Sequence, residues 1–171
     1  MCGSDARDRE PTPPLAGLEL VALAEDDLDQ VLEIERASFG RPWRREHFLH
    51  EIRENRWAVN QVARRGERVH GYSCVWRLHG ELRINNFAVR AESRRLGLAR
   101  WMLRRILGEA RAAGCTVATL EVRESNLPAR SLYGGEGFVE VGRREDYYRA
   151  EQEDAIVMEV PLVARPGEPG L

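Results

Sequence analysis

Residues 98–113 place Leu98, Met102, Leu103, Ile106, Leu107, Ala110 and Ala113 on one face of a helix, and that stripe requires a flat apolar partner. The segments on either side have a period of two. Leu82–Val89 precedes the helix and Thr116–Val122 follows it, and both read as strands. Strand, helix and strand in that order predict one parallel crossover in a sheet. Upstream, Gly66 separates Trp57–Arg64 from Val69–Trp76, and His79-Gly80 separates Val69–Trp76 from Leu82–Val89, which predicts an antiparallel meander of three strands. Leu18–Leu23, Phe138–Gly142 and Ala155–Val160 complete the strands. Shorter helices are expected around Leu28–Glu35, Phe48–Ile52 and Pro128–Gly135. The fold class is α/β (α+β): a mixed, mostly antiparallel sheet of about six to seven strands flanked by about four helices.

The 171 residues suit one domain, with 43% hydrophobic and 32% charged residues. Residues 1–16, with Pro11, Pro13 and Pro14, read as a loose tail, as do residues 163–171. The folded unit is therefore expected over residues 17–162. A net charge of −2 gives no bulk attraction to nucleic acid or an anionic membrane. No apolar run reaches the ~18 residues of a membrane span. Cys2, Cys74 and Cys115 form no CxxC pair, which points to a reducing, cytoplasmic setting. His47 and His50 lie three apart with no third ligand suggested, so no metal is expected.

Chemistry concentrates at Arg94-Arg95-Leu96-Gly97-Leu98-Ala99, between a strand end and the long helix. Gly97 admits close approach of a ligand to backbone. The first amides of a helix have no internal partner, and the helix dipole adds positive potential there. Together these features suit a pyrophosphate. A second cluster lies downstream, where Asn126 is followed after six residues by Tyr133.

Arg-x-x-Gly-x-Ala, the Asn126…Tyr133 spacing and the order of elements resemble the GCN5-related N-acetyltransferases over nearly all of residues 17–162. A narrower resemblance is to the bacterial ribosomal-protein-alanine N-acetyltransferases (RimI type). It rests on Phe39-Gly40-Arg41-Pro42-Trp43, Asn86-Phe87-Ala88-Val89, Leu120-Glu121-Val122-Arg123, Tyr147-Tyr148 and Glu153-Asp154-Ala155. The resemblance implies acetyl-CoA as co-substrate and direct attack by an amine through a tetrahedral intermediate. The acceptor it implies is a protein N-terminus, with a small-subunit ribosomal protein beginning with alanine as the model case. It also implies a monomer or weak dimer with no direct contact to nucleic acid or membrane.

Roles follow residue by residue. Glu121 resembles the family's general base, and an α-amine with pKa near ~8 needs only a modest one. Tyr133 resembles the general acid that protonates the departing thiolate. Phe87, Ala88 and Val89 match the strand along which pantetheine inserts, with an oxyanion-holding N–H near Phe87 or Val89. Arg94, Arg95, Leu96, Gly97, Leu98 and Ala99 match the diphosphate loop. Leu96 stands where relatives carry a third basic residue. Asn126 either orients pantetheine or caps the following helix. Trp43, Tyr147 and Tyr148 resemble residues lining a peptide groove, although Trp43 equally suits a plug beneath the second helix. Gly134-Gly135 follows Tyr133 where better helix formers are usual, which predicts a looser turn around the acid. Two other functions fit this fold: acetylation of a small-molecule amine or lysine side chain, and a non-catalytic acyl-CoA-binding module.

Overall fold

The computed structural model describes residues 11–148 and 153–163, with the side chains of residues 146–148 outside that description. Among the described residues one seven-stranded sheet runs in the order β1-β2-β3-β4-β5-β7-β6. Its strands are β1 (Glu19–Ala22), β2 (Ala58–Arg65), β3 (Arg68–Leu78), β4 (Glu81–Val89), β5 (Val117–Arg123), β6 (Val139–Tyr148) and β7 (Glu153–Pro161). Four α-helices flank it: α1 (Leu28–Ser38), α2 (Arg45–Arg53), α3 (Leu98–Ala112) and α4 (Leu127–Gly135). β4 and β5 are parallel and joined through α3, as the apolar stripe predicts, and the remaining neighbours pair antiparallel.

Each face of the sheet has its own core. Leu103, Ile106 and Leu107 of α3 pack with Leu82, Ile84, Ala118, Leu120 and Val122. On the other face, Leu28, Val31 and Leu32 of α1 and Phe48 of α2 pack with Val62, Tyr72, Cys74 and Ala88. A Cβ added at Gly71 of β3 would lie 2.9 Å from Met102 Sδ and 3.0 Å from the Ala88 carbonyl oxygen, so α3 rests on bare backbone there.

β4 changes face part-way along. Leu82 and Ile84 belong to the α3 side, yet Ala88 belongs to the α1 side, although all three are even-numbered. A regular strand cannot do this, because its side chains alternate strictly. The register explains it: Cys74 is opposite Asn86 and Val75 is opposite Ile84, which leaves Asn85 as a bulged extra residue. The β4–β5 pairing ends at the same place. It runs from Glu81↔Val117 to Ile84↔Leu120 and no further, so the two strands part beyond the bulge.

Two departures from the sequence reading concern the ends of elements. β6 continues to Tyr148, past the stop predicted at Gly142. The charged run Arg143–Asp146 lacks an apolar rhythm, but pairing with β7 and cross-strand ion pairs hold it in place. Arg143 lies 3.1 Å from Asp154 and 2.6 Å from Glu124. At the N-terminal end, the Trp101 indole of α3 donates to the Pro11 carbonyl at 2.8 Å, so residues from 11 onward lie along the domain. The rest of the expected tails, residues 1–10 and 164–171, lies outside the described residues.

Candidate active site

A cleft of about 710 Å³ opens where β4 leaves β5. Phe87, Ala88 and Val89 form one wall, and the Arg94–Ala99 turn closes its end. Arg95 (φ +60°) and Gly97 (φ +82°) both take left-handed backbone, which suits glycine and strains arginine. Successive turn amides in such a conformation make an anion-binding nest. The first helical bond of α3 is donated by Trp101 to Gly97, so the amides of Leu98, Ala99 and Arg100 have no partner within the helix. Arg94 braces the turn, with Nε donating to the Val89 carbonyl at 3.0 Å and Nη2 to Ser38 Oγ at 3.1 Å. Arg95, Gly97, Leu98 and Ala99 line the cleft with it, whereas Leu96 is half exposed and does not. Free amides, a helix N-terminus and arginines fit the diphosphate of a coenzyme A thioester.

The opposite wall is α4. Asn126 Oδ1 accepts from the Ala129 N–H at 3.2 Å, so the side chain caps the helix while also lining the cleft. α4 continues through Gly134 and Gly135 despite their poor helix propensity. Tertiary ties account for this. Tyr133 is buried with its ring 5.7 Å from Phe138, and the Glu136 carboxylate lies 3.0 Å from Arg100 Nε and 2.8 Å from Arg104 Nε of α3.

Glu121 is the first β5 residue beyond the last β4–β5 pair. It alternates with Leu120 and Val122, which face α3, so its carboxylate lies on the other face of the sheet. Arg144 Nη2 is 3.1 Å away, and the Glu121 side chain is 18% exposed. Glu121 therefore approaches the parted strands from one face, while Tyr133 lines the cleft from the other.

The Acetyltransferase (GNAT) family model matches residues 28–138, about two thirds of the chain. The chain belongs to the GNAT acetyltransferase family. Like other GNAT proteins of this kind it is an N-acetyltransferase, and the family uses acetyl-CoA. A Bacillus subtilis relative is 34% identical over 137 residues, covering 80% of this chain and 91% of its own. It is provisionally named a [ribosomal protein bS18]-alanine N-acetyltransferase. The Salmonella typhimurium enzyme of that name is 31% identical over 142 residues, covering 82% and 95%. The crystal structure of the Escherichia coli ribosomal-protein-S18-alanine N-acetyltransferase superposes with a TM-score of 0.79 at 26% identity, covering 90% of this chain and 99% of the other.

On the α1 side of this GNAT domain, Ser38 and Phe39 line the cleft. Trp43 does not line it: its ring packs on Phe48 at 5.3 Å and His47 at 6.1 Å. Tyr147 and Tyr148 end β6, and their side chains lie outside the described residues. His47 Nδ1 accepts from the Arg44 N–H, and His50 pairs with Glu54. Among the described residues no His, Cys, Asp and Glu cluster could hold a metal, and no helix is long and apolar enough to cross a membrane. Cys74 and Cys115 are buried free thiols, and burial pushes the Cys74 thiol well above its ordinary value.

Sequence reasoning assigned no role to Glu35. It is 1% exposed, and its carboxyl accepts from the Trp43 N–H at 2.7 Å, from the Tyr72 hydroxyl, and from Asn86 Nδ2 at 3.3 Å. Burial raises its pKa, while the hydrogen bonds from Tyr72, Trp43 and Asn86 oppose the rise. The available signal was its place in the apolar stripe Leu28, Val31, Leu32, Glu35, where an acid stands at a core position.

Proposed function

We propose that this enzyme transfers the acetyl group of acetyl-CoA to the N-terminal α-amine of a protein, a ribosomal protein beginning with alanine, in the cytoplasm. The observation that carries the reading is Glu121 at the point where β4 and β5 part, with Tyr133 in the cleft wall on the other side. The relatives named as bS18-alanine N-acetyltransferases support the acceptor class.

The amides of Leu98–Arg100 and the Arg94–Gly97 turn hold the diphosphate. Acetyl-CoA supplies an activated acetyl thioester when bound. Among the described residues β4 has no strand partner on its β5 side beyond Ile84, so its outward N–H groups are available to pantetheine amides and to the carbonyl oxygen of the thioester. Glu121 takes the proton from the acceptor ammonium, directly or through a water, leaving a neutral amine to attack. As the nitrogen bonds to the acetyl carbon the carbon–sulfur bond breaks, the Tyr133 phenol donates a proton to the departing sulfur, and the second proton lost by the nitrogen returns to the phenolate through water. Binding precedes chemistry, and the acceptor enters from the Glu121 face.

The test combines thiol release with mass spectrometry on peptides beginning with Ala, Ser or Met and on N-terminally blocked peptides carrying lysine. Acetylation of free N-termini, with alanine preferred, is expected. Glu121→Gln and Tyr133→Phe should each lower kcat by about 10²-fold or more, with acetyl-CoA binding retained by calorimetry. Equal acetylation of blocked, lysine-bearing peptides would overturn the acceptor class. Undiminished turnover in both variants would overturn the roles of the two residues.

A further inference from the structure

The C-terminal turn of α1 carries a buried acid that the transfer chemistry above does not use. Glu35 holds the chain that follows it at two points. Its backbone carbonyl accepts from the Phe39 N–H at 3.0 Å, and its side chain accepts from the Trp43 N–H at 2.7 Å. Residues 39–43 are thus closed into a loop fastened at both ends to one residue. The carboxyl is fixed in turn by the Tyr72 hydroxyl of β3 and by Asn86 of β4. Asn86 directly follows the bulged Asn85 and precedes Phe87, a cleft residue.

Among the described residues no cation pairs with this carboxyl. A buried acid without a counter-ion is costly, and an apolar side chain would complete the α1 stripe at lower cost. Its hydrogen bonds offset part of that cost by linking the loop to the parted strand. Phe39 on the loop lines the cleft on its α1 side, so the link fixes where loop 39–43 meets the site. Asn86, Ala88 and α1 lie on the sheet face that Glu121 also occupies, opposite α3 and α4.

We infer that Glu35 is a positioning residue for the acceptor: its carboxyl fastens loop 39–43 to β3 and β4 and so sets the wall against which the acceptor's first residues lie. The inference rests on the N-terminal acetyltransferase reading for its kinetic consequence, but the fastening itself can be measured without turnover.

Glu35→Met keeps the length of the side chain and removes both acceptor oxygens. It is expected to raise the KM for an alanine-initiated peptide about tenfold or more, the scale of one lost charge-assisted hydrogen bond. The Kd of acetyl-CoA by calorimetry should stay within about twofold. Glu35→Gln keeps one acceptor for the Trp43 N–H, and the Tyr72 hydroxyl can reverse to accept from the new amide. It should therefore restore the peptide KM to within a few-fold. If Glu35→Met does not fold, Glu35→Asp withdraws the carboxyl by about 1.5 Å and keeps its charge. It should raise the peptide KM in the same way. Hydrogen exchange at the Trp43 amide reads the fastening directly: fast in the Met and Asp variants, slow in wild type and the Gln variant. Unchanged exchange in the Met or Asp variant overturns the inference, whatever the acceptor. So does an unchanged peptide KM, or an acetyl-CoA Kd that rises in parallel. A wild-type enzyme inactive on every peptide would refute the proposed acceptor instead, while the exchange result still decides the role of Glu35.

Discussion

Gly97→Ala separates backbone conformation from packing at the diphosphate turn. Gly97 has φ +82°, and a Cβ built there meets only Pro14 Cβ at 4.0 Å. The added methyl therefore clashes with nothing, and the left-handed backbone is the whole cost. That strain is about 1–2 kcal/mol for an L-residue. If the turn holds its shape, the strain appears as lost stability. A domain of this size then melts about 2–4 °C lower per kcal/mol. If the turn relaxes when empty, the strain must be restored on binding and appears as a weaker Kd, about 5–30-fold for the same energy. The sum of the two effects, from thermal denaturation and from acetyl-CoA titration by calorimetry, should come to about 1–2 kcal/mol. The kcat at saturating acetyl-CoA should change little. Gly97→Asn should recover part of the loss, because asparagine tolerates left-handed backbone. An alanine variant with wild-type melting and wild-type affinity would show that the turn needs no left-handed residue at 97, and the anion site would have to be placed elsewhere.

Asn126→Ala removes the α4 cap and should cost about 1 kcal/mol, seen as a lower melting temperature, with kcat falling because Tyr133 rides on that helix. Asn126→Asp, which keeps the cap, should retain both, and an alanine variant equal to wild type in both measurements would contradict the capping role. Gly71→Ala drives a methyl against the Ala88 carbonyl and Met102, and only the methionine can move aside; urea unfolding should show a loss of about 1–3 kcal/mol. The Glu35 carboxyl has its pKa raised by burial, so folding favours its protonated form. Its contribution to stability is then full below the unfolded value of about 4.3 and is lost as pH rises through the folded value. Urea midpoints of wild type and Glu35→Gln, compared from pH 4 to pH 8, should show the wild-type advantage shrinking as pH rises. An advantage that grows with pH would mean the hydrogen bonds outweigh burial.

Much of this molecule can be read from residue spacing, because the relevant forces are local. The 3.6-residue stripe of α3 between two period-two segments determines a helix packed across a parallel strand pair. The glycine at position 97 before that stripe determines where unpaired amides gather, and Asn126 ahead of Pro128 marks a helix start. Only the tertiary structure decided what depends on partners distant in sequence. β6 outlasts its apolar rhythm because β7 and the ion pairs of Arg143 and Arg144 hold it. α4 survives Gly134-Gly135 because Glu136 is tied to α3. Trp43 turns its ring into the core against Phe48, and its backbone N–H meets Glu35. The bulge at Asn85 is the clearest case. One extra residue reverses the alternation of β4 just where β5 departs, and no periodicity within β4 reveals it, since a bulge exists only relative to the strand beside it.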